Sequence, residues 1–161
     1  MYTKVLVPLD GSALAERAVT QAEEIAKAAG AELILVQVVQ APLGKTPEAG
    51  QTEEGKALLE SAAQARAYLG MVATRVSGAG VKARFEVLEG APAAGILAFA
   101  HDNDVDIIVM STHGRSGISK LVMGSVAEKV MLTTRRPVLL VKPERLAATH
   151  IDEADVFLSA H

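Results

Sequence analysis

The chain has 161 residues, a formal net charge of −3 and no cysteine, which excludes disulfides, thiol catalysis and cysteine-built zinc sites. Half of its residues are hydrophobic yet only 3% are aromatic, so the core must be built from Ala, Val, Leu and Ile. This length fits one domain whose core needs no covalent staple, and the mildly acidic balance argues against a nucleic-acid binder.

The first apolar run, Thr3–Pro8, reads as a strand; it is too short for a signal peptide, and no run approaches the length of a membrane span. A cytoplasmic protein without membrane association is the expectation. Leu9-Asp-Gly-Ser12 is a turn with Ser12 as N-cap. From Ala13 to Ala29 apolar residues recur at intervals of three and four, which predicts a helix, and Gly30 stands where a left-handed residue ends one. Glu32–Val39 is a second, buried strand. Residues 40–50, with two prolines and two glycines, form a loop.

A long helix follows over Glu53–Ser77, then Gly78-Ala-Gly80 and a third strand over Val81–Leu88. Pro92 suits the first turn of a helix running to about Asp102. Asp106–Thr112 is a nearly unbroken apolar run, as expected of a parallel strand covered on both faces. His113–Met123 is rich in glycine and hydroxyls, and Gly124-Ser125 opens a helix that Arg136-Pro137 stops. Val138–Lys142 is a fifth strand and Glu144–His161 an extension. Strands alternating with helices predict a five-stranded α/β sheet with right-handed crossovers. Ligands of such sheets bind beyond the carboxyl ends of the strands, where strand order reverses.

Several patterns fail on context. Gly78-x-Gly80-x-x-Ala83 has dinucleotide-fingerprint spacing, but it leaves a helix and enters a strand. Gly44-Lys-Thr46 lacks the earlier glycine of a phosphate loop. Asp102-x-Asp104-x-Asp106 has Ile107 where a calcium loop needs glycine. No nucleophile elbow occurs, and the four histidines show no metal-ligand spacing.

Asp106–Thr134 remains as strand, glycine-bearing loop and helix. A loop of this kind delivers backbone N–H groups and a positive dipole end to an anion, which predicts a phosphate site. Residues 111–145 hold seven basic and two acidic residues, so positive charge gathers where the phosphate is expected. Ser125-Val-Ala-Glu128 also has the spacing of a capping box, which would give Ser125 a purely structural duty.

Ser111-Thr-His-Gly114, nine residues, then Gly124-Ser125 resembles the Gly-x2-Gly-x9-Gly-Ser/Thr signature of the nucleotide-binding branch of the universal stress protein family. Lys4–Ser12, Ile34–Val39 and Arg136–Lys142 are similar to that family's first, second and last strands. The resemblance implies one Rossmann-like domain over residues 1–143, of the adenine nucleotide alpha hydrolase-like class. Its sheet would be parallel, of order 3-2-1-4-5, with helices on both faces. It further implies binding of ATP, or of ADP or AMP, with magnesium as a possible companion. By position, Gly114, Gly124 and Ser125 would meet the phosphates, with amides from Val126 and Ala127 and a cation from Arg115. Pro8, Leu9, Asp10, Val38 and Met110 would line the adenosine end, Asp10 reaching the ribose or a metal. Ser111 stands where the signature has its first glycine. The family resemblance also implies a homodimer through the last strand, Val138–Val141.

Without an acid–base or nucleophile constellation, the function read from these residues is a stress or signalling protein that senses or sequesters adenine nucleotide, with slow or no hydrolysis. A nucleotide-free dimeric adaptor and a weak magnesium-dependent ATPase using Asp10 or His113 are the alternatives.

Overall fold

The apolar runs become five parallel strands: β1 (Lys4–Pro8), β2 (Glu32–Val39), β3 (Ala83–Glu89), β4 (Ile107–Ser111) and β5 (Val138–Val141). Between them lie α1 (Ala13–Ala29), α2 (Glu53–Gly78), α3 (Pro92–Asp102) and α4 (Ser125–Thr133). These come from a computed structural model that describes residues 1–40, 52–113 and 123–142. The sheet order is β3-β2-β1-β4-β5, the order the resemblance implied. It reverses at β1, so the first chain segment is the central strand and β1 and β4 diverge into different crossovers.

Alternation along β1 sets up two cores. Val5 and Val7 face α1 and α2 together with Leu33, Leu35 and Val109, while Leu6 faces the α3 and α4 side with Ile34, Val36 and Ile108. All nine of these side chains are inaccessible to solvent. The helices approach closely because they present small residues. Ala15, Ala18, Ala22 and Ala26 lie on the buried stripe of α1, and a Cβ added to Gly95 of α3 would stand 3.3 Å from a methyl of Val38.

The ends of α1 form as their residues dictate. Ser12 caps the start, its hydroxyl accepting from Ala15 N–H at 3.1 Å, and Gly30 ends it at φ +66°, where a side chain would be strained. β3 begins two residues later than the periodicity predicts. Gly80 is left-handed, and Val81 still donates its N–H to Val76 O at 3.3 Å, so the chain is closing α2 there.

One carboxylate ties the central strand to its neighbour. Asp106 Oδ2 accepts from Thr3 N–H at 2.7 Å, Thr3 Oγ1 at 2.8 Å and Lys4 N–H at 2.9 Å. The backbone donors of Thr3 and Lys4, then the Thr3 hydroxyl, hold its carboxyl below the ordinary aspartate range. A depressed folded-state pKa contributes stability that is full above the unfolded value of about 3.9 and is lost as pH falls through the folded one. The melting temperature of Asp106→Asn should therefore fall below wild type at pH 7, and the gap should close on acidification below about pH 4. A gap that persists undiminished at pH 2 would refute this anchoring.

Candidate functional site

Beyond the carboxyl ends of β1, β2 and β4 lies a cleft of about 830 Å³. That is ample for a small organic ligand. Its floor and walls include Pro8, Leu9, Asp10, Val38, Met110 and Ser111, and its far side includes Gly124, Ser125, Val126 and Ala127. Ten of the twelve sequence-predicted positions therefore meet at one cavity; Gly114 and Arg115 lie outside the described residues.

The β1–α1 turn bends sharply beneath this cleft. Gly11 adopts φ +82°, and Asp10 Oδ1 accepts from Ser12 N–H at 2.9 Å, so the carboxylate predicted to reach the ribose or a metal also holds its own turn. Leu9 N–H donates to Val36 O at 2.8 Å, the last backbone bond between the two strands. Alternation in a parallel ladder then directs the amide and carbonyl of Val38 to the same side, past the point where β1 has turned away. Those groups face the cleft, flanked by the apolar surfaces of Pro8 and Met110.

The start of α4 differs from the capping-box expectation. The N-cap is Gly124, at φ −61° and ψ 145°, and among the described residues no side chain caps this helix. Ser125 is instead the first helical residue, and Glu128 N–H bonds to Gly124 O at 2.9 Å as in any first turn. The structural duty assigned to Ser125 is thus absent. Its side chain is exposed at the cleft, next to amides that have no intrahelical acceptor. Gly124 is not in a left-handed conformation.

Two backbone bonds fix this end of the cleft. Gly124 N–H donates to Thr112 O at 2.7 Å, and Thr112 N–H donates to Val141 O at 3.0 Å. Ser111, buried to 8% exposure, folds back on its own turn: its hydroxyl donates to His113 O at 2.9 Å and receives His113 N–H at 3.3 Å. The serine that replaces the signature's first glycine is accommodated by this local turn.

On the opposite wall α2 contributes Ser61, Gln64 and Tyr68. The Tyr68 hydroxyl donates to Glu16 Oε1 at 2.9 Å; burial first, then the Glu16 carboxylate, push its pKa far up, so the phenol stays a neutral donor. Among the described residues no group of three or more acidic or histidine side chains converges as a metal site. No described helix is long and apolar enough to cross a membrane.

Gln37, Gly11 and Thr112 line the cleft without having been singled out as binding residues, and His113 had been weighed only as a catalytic group. For Gln37 a signal exists: it is the only polar residue within the run Leu33–Val39. Thr112 acts through its main chain, which leaves no mark in a side-chain pattern.

Comparison with known proteins gives a consistent picture. The family model described as "Universal stress protein family" matches residues 1–142. Universal stress protein MJ0531 of Methanocaldococcus jannaschii is 38% identical over 143 residues, covering 88% of this chain and 83% of the relative. The solved structure of protein MJ0577 superposes with a TM-score of 0.78 at 29% identity, covering 89% of this chain and 98% of the other. A universal stress protein solved in complex with cAMP superposes with a TM-score of 0.66 at 27% identity, covering 88% and 97%.

Proposed function

The chain belongs to the universal stress protein family, and from that premise we propose that it binds an adenine nucleotide, ATP or its lower phosphates, and acts by sensing or sequestering it with slow or no hydrolysis. The observation that carries this reading is the start of α4. A helix N-terminus that no described side chain caps opens onto a cleft whose other end is apolar and offers the main chain of Val38. The first is suited to phosphate and the second to a purine. A relative of the same fold holding cAMP supports an adenine ligand. Ser125, Val126 and Ala127 would take the phosphates, and Gly124, whose own N–H is held by Thr112 O, would leave room for their approach. Magnesium would enter with those phosphates, which supply part of its coordination.

Acid extraction of the purified protein followed by chromatography of the supernatant tests the proposal directly, and thermal melting with added ATP tests it independently. ATP at a hundredfold excess over its Kd stabilises the folded state by about 2.7 kcal/mol, which raises the melting temperature by roughly 5–11 °C for a chain of this size. An extract without nucleotide, together with an unmoved melting temperature, would overturn it.

We further propose that the protein pairs with a second copy through β5. That strand is a sheet edge made of four apolar residues, with Leu139 37% exposed. Pro137 and Val141 give their carbonyls to Ile108 and Thr112 of the β4 chain. By alternation, the amides of Val138 and Leu140 point to the open side, an edge that proteins rarely leave bare. Leu139→Lys should halve the solution mass measured by light scattering while the far-ultraviolet circular dichroism is retained. A mass that does not change, or a wild-type monomer, would remove this interface.

A further inference from the structure

Among the described residues two buried side-chain polar atoms lack a hydrogen-bond partner, Gln37 Oε1 and His113 Nε2, and both side chains line the same cleft. For Gln37 the arrangement works against the fold. Leu33 and Leu35 precede it on the same face of β2, both fully buried and apolar. An apolar side chain of equal volume would continue that core without leaving an acceptor sealed from water and unpaired. A residue that weakens the structure where the cleft begins is a candidate for recognition.

Its position says what it can recognise. Gln37 sits near the carboxyl end of β2, and β2 lies two strands from β4, about 10 Å across the sheet by the usual strand spacing. A phosphate held at the start of α4 therefore places the ribose over β1 and the base over β2. A primary amide carries one acceptor and one donor side by side, the complement of adenine's 6-amino group and the ring nitrogen beside it. The terminal torsion of glutamine is soft, so the amide turns toward the cleft that its side chain already lines.

We infer that Gln37 is a base-reading residue: its amide accepts from the 6-amino group of the bound purine and donates to the adjacent ring nitrogen. The inference rests on the nucleotide-binding reading, and the test separates the two. Titration calorimetry with ATP, with purine riboside triphosphate (the same molecule without the 6-amino group) and with inorganic tripolyphosphate reads base and phosphate contacts apart. Wild type should prefer ATP over purine riboside triphosphate by about tenfold, the weight of one well-made neutral hydrogen bond. Gln37→Met, close in shape, should bind both nucleotides alike and bind tripolyphosphate as wild type does. Without ligand it should melt at or above the wild-type temperature, because the unpaired acceptor is gone. Gln37→Leu provides a second apolar replacement should methionine disturb folding. Equal losses for both nucleotides, or a retained preference for ATP, would show Gln37 to be structural. Tripolyphosphate binding without any wild-type preference for the 6-amino group leaves the phosphate site standing and removes the role of Gln37. If wild type binds none of the three, the nucleotide reading falls and this inference falls with it.

Discussion

Gly124→Asp is expected to abolish nucleotide binding while leaving the fold as stable as wild type or slightly more so. Gly124 is the N-cap of α4, with extended dihedral angles that any residue adopts. Aspartate is among the preferred N-caps and gains a few tenths of a kcal/mol over glycine there. The same carboxylate stands where the phosphates must approach, and opposing like charges cost several kcal/mol. Affinity for ATP should fall by a factor on the order of 100 to 1,000, with the melting temperature of the ligand-free protein unchanged or raised. Calorimetric titration and a melting curve on one preparation decide it. Unchanged affinity would mean that the phosphates lie elsewhere; a large drop in melting temperature would mean that the N-cap geometry has been misread.

Leu6→Ala should show the opposite profile, a heavy loss of stability without a specific effect on the ligand. Leu6 is on the central strand, fully buried, in the core shared with Ile34, Val36 and Ile108. Neighbours on both flanking strands and on the helices limit how far the site can collapse. Truncation of such a leucine costs about 2–5 kcal/mol, or roughly 5–20 °C in melting temperature for a chain of this length. Chemical denaturation should show a lower midpoint with an unchanged slope. A loss under about 1 kcal/mol would indicate a core that repacks freely.

The contrast reflects which parts of the molecule a sequence displays. β2 appears over the residues its apolar run predicts, and α1 runs between the serine and the glycine that bracket it. Burial repeats along the chain, and so it can be read from the pattern of residues. Single hydrogen bonds do not repeat. Nothing in Ser125-Val-Ala-Glu128 distinguishes a serine that caps from one that starts the helix, because the choice depends on Gly124 N–H reaching Thr112 O across the loop. The Asp102–Asp106 spacing shows in the sequence only as a calcium loop that fails at Ile107, whereas Asp106 fastens Thr3 and Lys4 more than a hundred positions away. The meeting of ten described positions at one cleft was legible mainly through motif and resemblance. The unpaired oxygen of Gln37 was not, since a lack of partners is a property of three-dimensional surroundings.

Thr112 gives the molecule a shared joint. Through its carbonyl it holds the amide of Gly124, where phosphate is proposed to bind, and through its own amide it holds the carbonyl of Val141, the last residue of the edge strand. A single residue thus lies between the ligand and the surface proposed to meet a second copy. Thermodynamic reciprocity applies to any such joint: by whatever factor nucleotide changes the strength of subunit association, association changes nucleotide affinity by the same factor. Dilution would then be an effector in its own right, altering occupancy at constant nucleotide, and the cellular abundance of the protein would set its sensitivity as a sensor.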